Sequence, residues 1–200
     1  MKVVSGKVSI VMRILVFAFS PASALAGPVV FHEEGFESGF PTGSSALGSW
    51  AVVNSSASAH DGSAGADIDG PTGPGGDTLT LPISSAGYHS LVASIWAQVR
   101  SGFEGDDQVL VEWTSDGGDR ATLQVISNRA AGGWELYSFN LPPSADDNAD
   151  LALIFTAQLS STGDRMNFDS LTLTGIPIPE PTPLSLLSLG AITLVRRRFV

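Results

Sequence analysis

The chain of 200 residues has a mass of 20.7 kDa, which is room for one ordinary domain and excludes a multidomain machine. It contains no cysteine, which excludes disulfides, thiolate metal centres, iron–sulfur clusters and cysteine nucleophiles, and its 22 glycines and 12 prolines suit a turn-rich β protein better than a helical bundle. Between Gly27 and Gly175 only Arg100, Arg120, Arg129 and Arg165 face nineteen carboxylates, a formal charge of −15 without a single lysine. Such a field repels a phosphate backbone and so argues against nucleic acid; divalent cations or neutral polymers are the better partners.

In chain order, the first segment is basic, with Lys2, Lys7 and Arg13, and then apolar from Ile14 to Phe19. It closes on Ser20-Pro-Ala-Ser-Ala-Leu-Ala26, where Ala24 and Ala26 form the small-x-small pattern that signal peptidase reads. Residues 1–26 are therefore expected to be a signal helix cleaved after Ala26. Arg13 interrupts an earlier apolar stretch, which leaves both Met1 and Met12 open as the start.

From Val29 to Thr174 short β-rich runs alternate with glycine, proline and acidic turns, and no stretch has a period of 3.6. The pattern predicts strands at Val29–Glu33, Trp50–Val53, Ala64–Asp69, Asp77–Leu81, Ser90–Val99, Gln108–Thr114, Ala121–Ser127, Trp134–Asn140, Leu151–Leu159 and Asn167–Thr174. Alternation is clearest where Val109, Val111 and Trp113 oppose Leu110 and Glu112, and where Leu171 and Leu173 oppose Ser170, Thr172 and Thr174. Each such strand has one buried and one wet face. Ser115-Asp-Gly-Gly118 is expected to be a hairpin turn, with its glycines supplying positive φ. Asp67-Ile-Asp-Gly70 lacks the rest of a calcium loop and reads as a turn. The expected fold for residues 27–175 is all-β, a two-sheet antiparallel sandwich of jelly-roll type.

The chain then runs through Ile176-Pro-Ile-Pro-Glu-Pro-Thr-Pro183, whose alternate prolines forbid helix and sheet pairing, so residues 176–183 form an extended linker. Residues 184–195 are an apolar run, and Arg196, Arg197 and Arg198 in the tail 196–200 hold that flank on the cytoplasmic side. Twelve helical residues cover roughly 18 Å of a hydrocarbon core about 30 Å thick, so this transmembrane helix is short. The order Pro179-Glu180-Pro181, apolar helix, terminal arginines resembles the PEP-CTERM sorting signal of Gram-negative bacteria. The helix here is shorter than usual and carries Ser185, Ser188 and Thr193. The resemblance implies processing near the tripeptide by exosortase, a multi-pass membrane enzyme. It also implies hosts that build extracellular polysaccharide and biofilm.

The domain has its own resemblance. Gly35-Phe-Glu-Ser-Gly-Phe-Pro41, Trp50, His60-Asp-Gly-Ser-Ala64, Ile95-Trp96, Ser115-Asp-Gly-Gly118, Trp134 and Phe168-Asp169 follow the order found in jelly-roll modules of the MAM and cleaved-adhesin type and in some carbohydrate-binding modules. Asp119-Arg120-Ala121 stands where many relatives continue into tryptophan, and Ser170 replaces a second aspartate. The resemblance implies a Ca2+ site, with Glu37 and Asp169 at positions where related jelly rolls gather ligands and Asp106 or Asp107 completing the set; Asp107 is the expected third ligand. Sugar binding would draw on Trp50, Trp96, Trp113, Trp134 and Tyr137, with Trp96 and Trp113 expected in the core because they lie within strands.

Catalysis finds little support: His32, His60 and His89 are isolated, and no Gly-x-Ser-x-Gly elbow or His-x-x-x-His pair occurs. The expected product is exported, anchored in the inner membrane before processing, and then placed at the cell surface or in the extracellular matrix. There it would serve as a noncatalytic adhesive, structural or glycan-binding module. A secreted glycan-active enzyme is the alternative.

Overall fold

The computed structural model describes residues 26–101, 103–116, 118–127 and 130–180. The expected signal helix with Ala24, the residue Pro181, the apolar run 184–195 and Arg196, Arg197 and Arg198 lie outside the described residues. Ala26, Pro179 and Glu180 lie within them, in segments without regular structure. Among the described residues no helix is long and apolar enough to cross a membrane.

Among the described residues, eleven strands form two antiparallel sheets: β1 Val29–Glu34, β2 Ser45–Ala46, β3 Ala51–Asn54, β4 Ala64–Asp69, β5 Asp77–Pro82, β6 Tyr88–Ser101, β7 Gln108–Ser115, β8 Ala121–Ser127, β9 Glu135–Asn140, β10 Leu151–Gln158 and β11 Arg165–Pro177. One sheet runs β3-β4-β11-β6-β9, with β1 also paired to β11, and the other runs β2-β5-β10-β7-β8. The ten expected strands are all present, within a few residues at their ends. The two-residue β2 and a single 3-10 turn at Pro143–Ala145 have no signal in the periodicity.

Period-two alternation builds the core. Leu91, Ala93, Ile95, Ala97 and Val99 of β6, with Met166, Phe168, Leu171 and Leu173 of β11, meet Val109, Val111 and Trp113 of β7 and Leu151, Leu153, Phe155 and Ala157 of β10. Trp50, Phe155 and Phe168 form its aromatic centre, with ring centroids 5.3 to 6.3 Å apart, and the Trp50 indole donates to the Asp77 carbonyl at 3.0 Å.

Two local devices shape the sheet that carries the candidate site. In β11, Asp169 pairs with Trp96 but Thr172 pairs with Ser94, so β11 has one extra residue, and Ser170 turns through φ 51°. This bulge lets Phe168 and Leu171 both point inward although they are three apart. In β4, a side chain on Gly65 would meet the Ser58 carbonyl at 2.0 Å, so the β3–β4 connection lies flat on the outer surface of the sheet only because that residue is glycine.

The β7–β8 hairpin forms where expected, with Gly118 N donating to Ser115 O at 3.1 Å, but the backbone corrects one detail. Asp116, not Gly118, takes positive φ (57°), because aspartate tolerates the left-handed region at a turn. The Asp67 to Gly70 phrase likewise belongs mostly to strand β4, and only Gly70 leaves it.

Candidate functional site

The outer face of the six-stranded sheet gathers residues from five elements. Because β6 buries its odd positions, the even ones, Trp96, Gln98 and Arg100, point outward. Trp96 is therefore half-buried on the outer face and not in the core, whereas Trp113 and Trp50 are buried as packing residues. Register places Leu136 beside Trp96 on one side and Asp169 on the other, then Asn167 beside Gln98, and Asp67 beside Asn167.

The β3–β4 connection folds over this face. His60 stacks on Trp96 with ring centroids 3.9 Å apart and planes at 12°, and meets Trp134 edge-on at 5.6 Å. Arg100 donates from Nη1 to the Ala57 carbonyl. The fully buried Asp169 accepts His60 N at 2.7 Å and Asp61 N at 2.9 Å on Oδ2, and Ser170 N at 2.6 Å on Oδ1. Glu37 holds the next residues, accepting Ser63 N at 2.7 Å and Ala64 N at 3.0 Å on Oε1 and the Ser63 hydroxyl at 2.8 Å on Oε2. The donors of Ala64 and Ser63 stabilise the charged form and pull the Glu37 carboxyl below its ordinary value. Gly62 at φ 71° leaves room for it, since a side chain there would lie 2.2 Å from Glu37 Oε1.

Glu37 and Asp169 thus serve one loop. Asp107 does not join them. Its Oδ2 accepts Glu104 N at 2.7 Å and its Oδ1 accepts Ser160 N at 2.8 Å. Among the described residues, the group of three carboxylates with oxygens within 4.8 Å of one another is Glu104, Asp107 and Asp164. The physical reason is topological: Asp107 ends the β6–β7 connection, which packs on the β10–β11 connection ahead of Arg165, whereas the Glu37 loop meets β11 further along the strand, at Asp169. Asp106 is exposed beside it.

Beside the aromatic cluster, two residues along β6, lies a polar group of side chains. Asp67 Oδ2 accepts Arg165 Nε at 2.7 Å and Asn167 Nδ2 at 2.8 Å, and this partner pushes the Arg165 guanidinium up. Gln98 Nε2 donates to the Gly132 carbonyl at 2.9 Å. The oxygens Asn167 Oδ1 and Gln98 Oε1 are buried and have no hydrogen-bond partner among the described residues. Leaving such an acceptor unmet costs about 1–3 kcal/mol, so two on one face are unusual.

The periodicity of β6 already placed Trp96, Gln98 and Arg100 on one side. Nothing in the sequence joined them to His60, Asp67 or Asn167, which arrive through pairing across more than thirty residues.

Two antiparallel sheets, an aromatic cluster and a polar group beside it describe a β-sandwich of the jelly-roll type with one equipped face. No family model and no curated protein matches the sequence. Solved structures do match the fold. A CBM61 module solved in complex with β-1,4-galactotriose has a TM-score of 0.52 at 15% identity, over 70% of this chain and 93% of its own. The K3 cleaved adhesin domain of Lys-gingipain from Porphyromonas gingivalis has a TM-score of 0.52 at 18% identity, over 74% and 99%. A xylan-binding CBM22 domain has a TM-score of 0.51 at 13% identity, over 80% and 100%. Carbohydrate-binding modules and cleaved adhesin domains are thus what the fold is similar to.

Proposed function

We propose that this protein is a noncatalytic glycan-binding module of the cell surface or extracellular matrix. The observation that carries this reading is the outer face of the six-stranded sheet, where His60, Trp96 and Trp134 supply aromatic surface for sugar CH groups beside the amide side chains of Gln98 and Asn167. Resemblance of the fold to carbohydrate-binding modules supports it. Retardation of the chain in native gels containing soluble polysaccharides is the test. Trp96→Ala should weaken retention at least tenfold while leaving the melting midpoint within a few degrees. Equal retention by the variant would refute this face as the site.

Export by signal peptidase after Ala26, and sorting by an exosortase-like enzyme acting near Pro179, Glu180 and Pro181 with the arginines 196–198 as the stop, complete the proposal. Replacing Glu180 should block surface display; unchanged display and unchanged mass would refute that route.

We also propose calcium as a stabiliser of the loop that Glu37 and Asp169 share. Calcium takes six to eight oxygens, and Glu37 Oε2 and Asp169 Oδ1, which each accept a single hydrogen bond, keep a second lone pair. Calcium should then raise the melting midpoint of the parent but not of Glu37→Gln or Asp169→Asn, by mass action on the native state. An unchanged parent midpoint with excess chelator would leave both residues as loop clamps alone.

A further inference from the structure

Exposed apolar side chains gather where the chain enters and leaves the sandwich. Among the described residues six large hydrophobic side chains are exposed, and three of them, Val29 at 41%, Val30 at 50% and Ile178 at 38%, lie at this one end. Register brings them together: Val29 pairs with Gly175 and Val30 with Thr174, and Ile178 follows just after β11, its N–H donating to the Gly87 carbonyl at 2.8 Å. Phe31 and Tyr88 add half-buried rings here, stacked with centroids 4.4 Å apart. The stack packs over Gly175, where a Cβ would lie 3.0 Å from Tyr88 Cβ and 3.2 Å from Phe31 Cε1. Tyrosine is a residue type that favours the boundary between lipid and water. Because β11 runs to Pro177 and Gly87 holds Ile178, the extended stretch expected from residue 176 begins only at Pro179.

The apolar run of the sequence starts close by. Leu184 stands four residues beyond Glu180, so at full extension it is no more than about 14 Å away. The headgroup layer on one side of a bilayer is roughly 5–7 Å deep, so a chain anchored by that run keeps this end of the domain near lipid. Resting on the sorting reading above, in which residues 184–195 sit in the membrane before processing, we infer that Val29, Val30 and Ile178 form a membrane-contact surface that seats the domain on the bilayer until it is cut free. The attraction is apolar. Glu33 and Glu34 follow on β1, Asp147 Oδ1 accepts Gly87 N at 2.8 Å, and Arg100 and Arg165 stand at the opposite ends of β6 and β11. Anionic lipid therefore gains nothing here, and the partner is a zwitterionic headgroup layer. Weak contact is sufficient, because the tether makes each rebinding intramolecular. One consequence concerns the aromatic cluster: Trp96 is eight residues along β6 from Tyr88, roughly 26 Å, and so stands clear of the membrane.

The chain has no cysteine, so one introduced thiol carries one reporter. Val30→Cys and Ile178→Cys, with Val125→Cys on β8 of the other sheet as an equally exposed control, are each labelled with an environment-sensitive dye. The chain as export leaves it, beginning at Gly27, is reconstituted in phosphatidylcholine vesicles with and without lipid that carries a spin-label quencher. The expected result is flotation with the vesicles, quenching of about twofold or more at positions 30 and 178, and none at position 125. Adding Val29→Glu should reduce the quenching at both positions without changing flotation. If the chain floats but positions 30 and 178 are quenched no more than position 125, the contact surface is overturned and the sorting reading survives. If the chain does not float, both fall. If positions 30 and 178 are shielded without vesicles, and more so at higher protein concentration, a second copy covers this end and the inference is overturned. The two labelled positions report independently, so the test stands even if one variant fails to fold.

Discussion

The two outer faces of the sandwich solve the same problem in opposite ways. On the five-stranded sheet the polar side chains satisfy one another: Thr156 donates to Glu112 at 2.7 Å, Gln108 donates to Gln158 at 2.6 Å, and Arg120 approaches Glu112 at 3.9 Å. Ile154, which pairs with Glu112 and Thr80 in that sheet, is buried there outside the main core. On the six-stranded sheet a loop is clamped over the surface, His60 of that loop stacks on Trp96, and the buried oxygens of Gln98 and Asn167 have no partner among the described residues. A closed polar network contributes stability, whereas a buried acceptor without a partner costs it.

That contrast can be broken most severely at Gly65. Gly65→Val drives a side chain into the Ser58 carbonyl, so the loop must lift. The expected cost is about 1–3 kcal/mol in denaturant unfolding, with faster amide exchange at residues 57–61 and loss of polysaccharide retention. Normal exchange in that loop would show that the close approach is unimportant. A smaller effect is expected on the opposite face: Thr156→Val removes the donor to Glu112 and should cost about 1 kcal/mol without altering retention. Any loss of retention by Thr156→Val would move the binding face to the five-stranded sheet.

The smallest effect is a difference in acid sensitivity. Glu37 has its folded-state pKa lowered by the Ala64 and Ser63 donors, so its stabilising contribution is complete above the ordinary value of 4.5 and is lost as pH falls through the lowered folded value. The melting midpoint should therefore fall more steeply below that pH in the parent than in Glu37→Gln. Parallel profiles would show that the clamp adds nothing. His32, held below its ordinary value by burial, adds a separate acid loss at a higher pH, where the unfolded imidazole protonates first; it is common to both proteins and cancels in the comparison.

Much of the fold was legible because strand periodicity is local. The pattern of β7 names its own buried face, and the alternation in β6 that buries Ile95 and Ala97 necessarily turns Trp96 outward. Expecting Trp96 in the core because it lies in a strand ignored that parity. The site was less legible. Glu37 and Asp169 meet at one loop as their order in the jelly-roll resemblance suggests, but Asp107 stands with Glu104 and Asp164, since acidity alone carries no information about which end of the sandwich a turn occupies. Gln98 and Asn167 had no signal at all: uncharged amides in strands are ordinary until their partners are counted.

By itself the amino-acid sequence determined the all-β class, ten of the eleven strands among the described residues, the buried face of β7, and the acidic character that disfavours nucleic acid. Tertiary structure alone decided which strands are neighbours, where the β11 bulge re-phases the face, and that a loop more than a hundred residues from Asp169 in sequence is held by its carboxylate. The division is physical. Alternation is set between adjacent residues by the period of the extended chain, whereas pairing, clamping and unmet acceptors arise only when distant segments share one surface and must satisfy their polar groups on it.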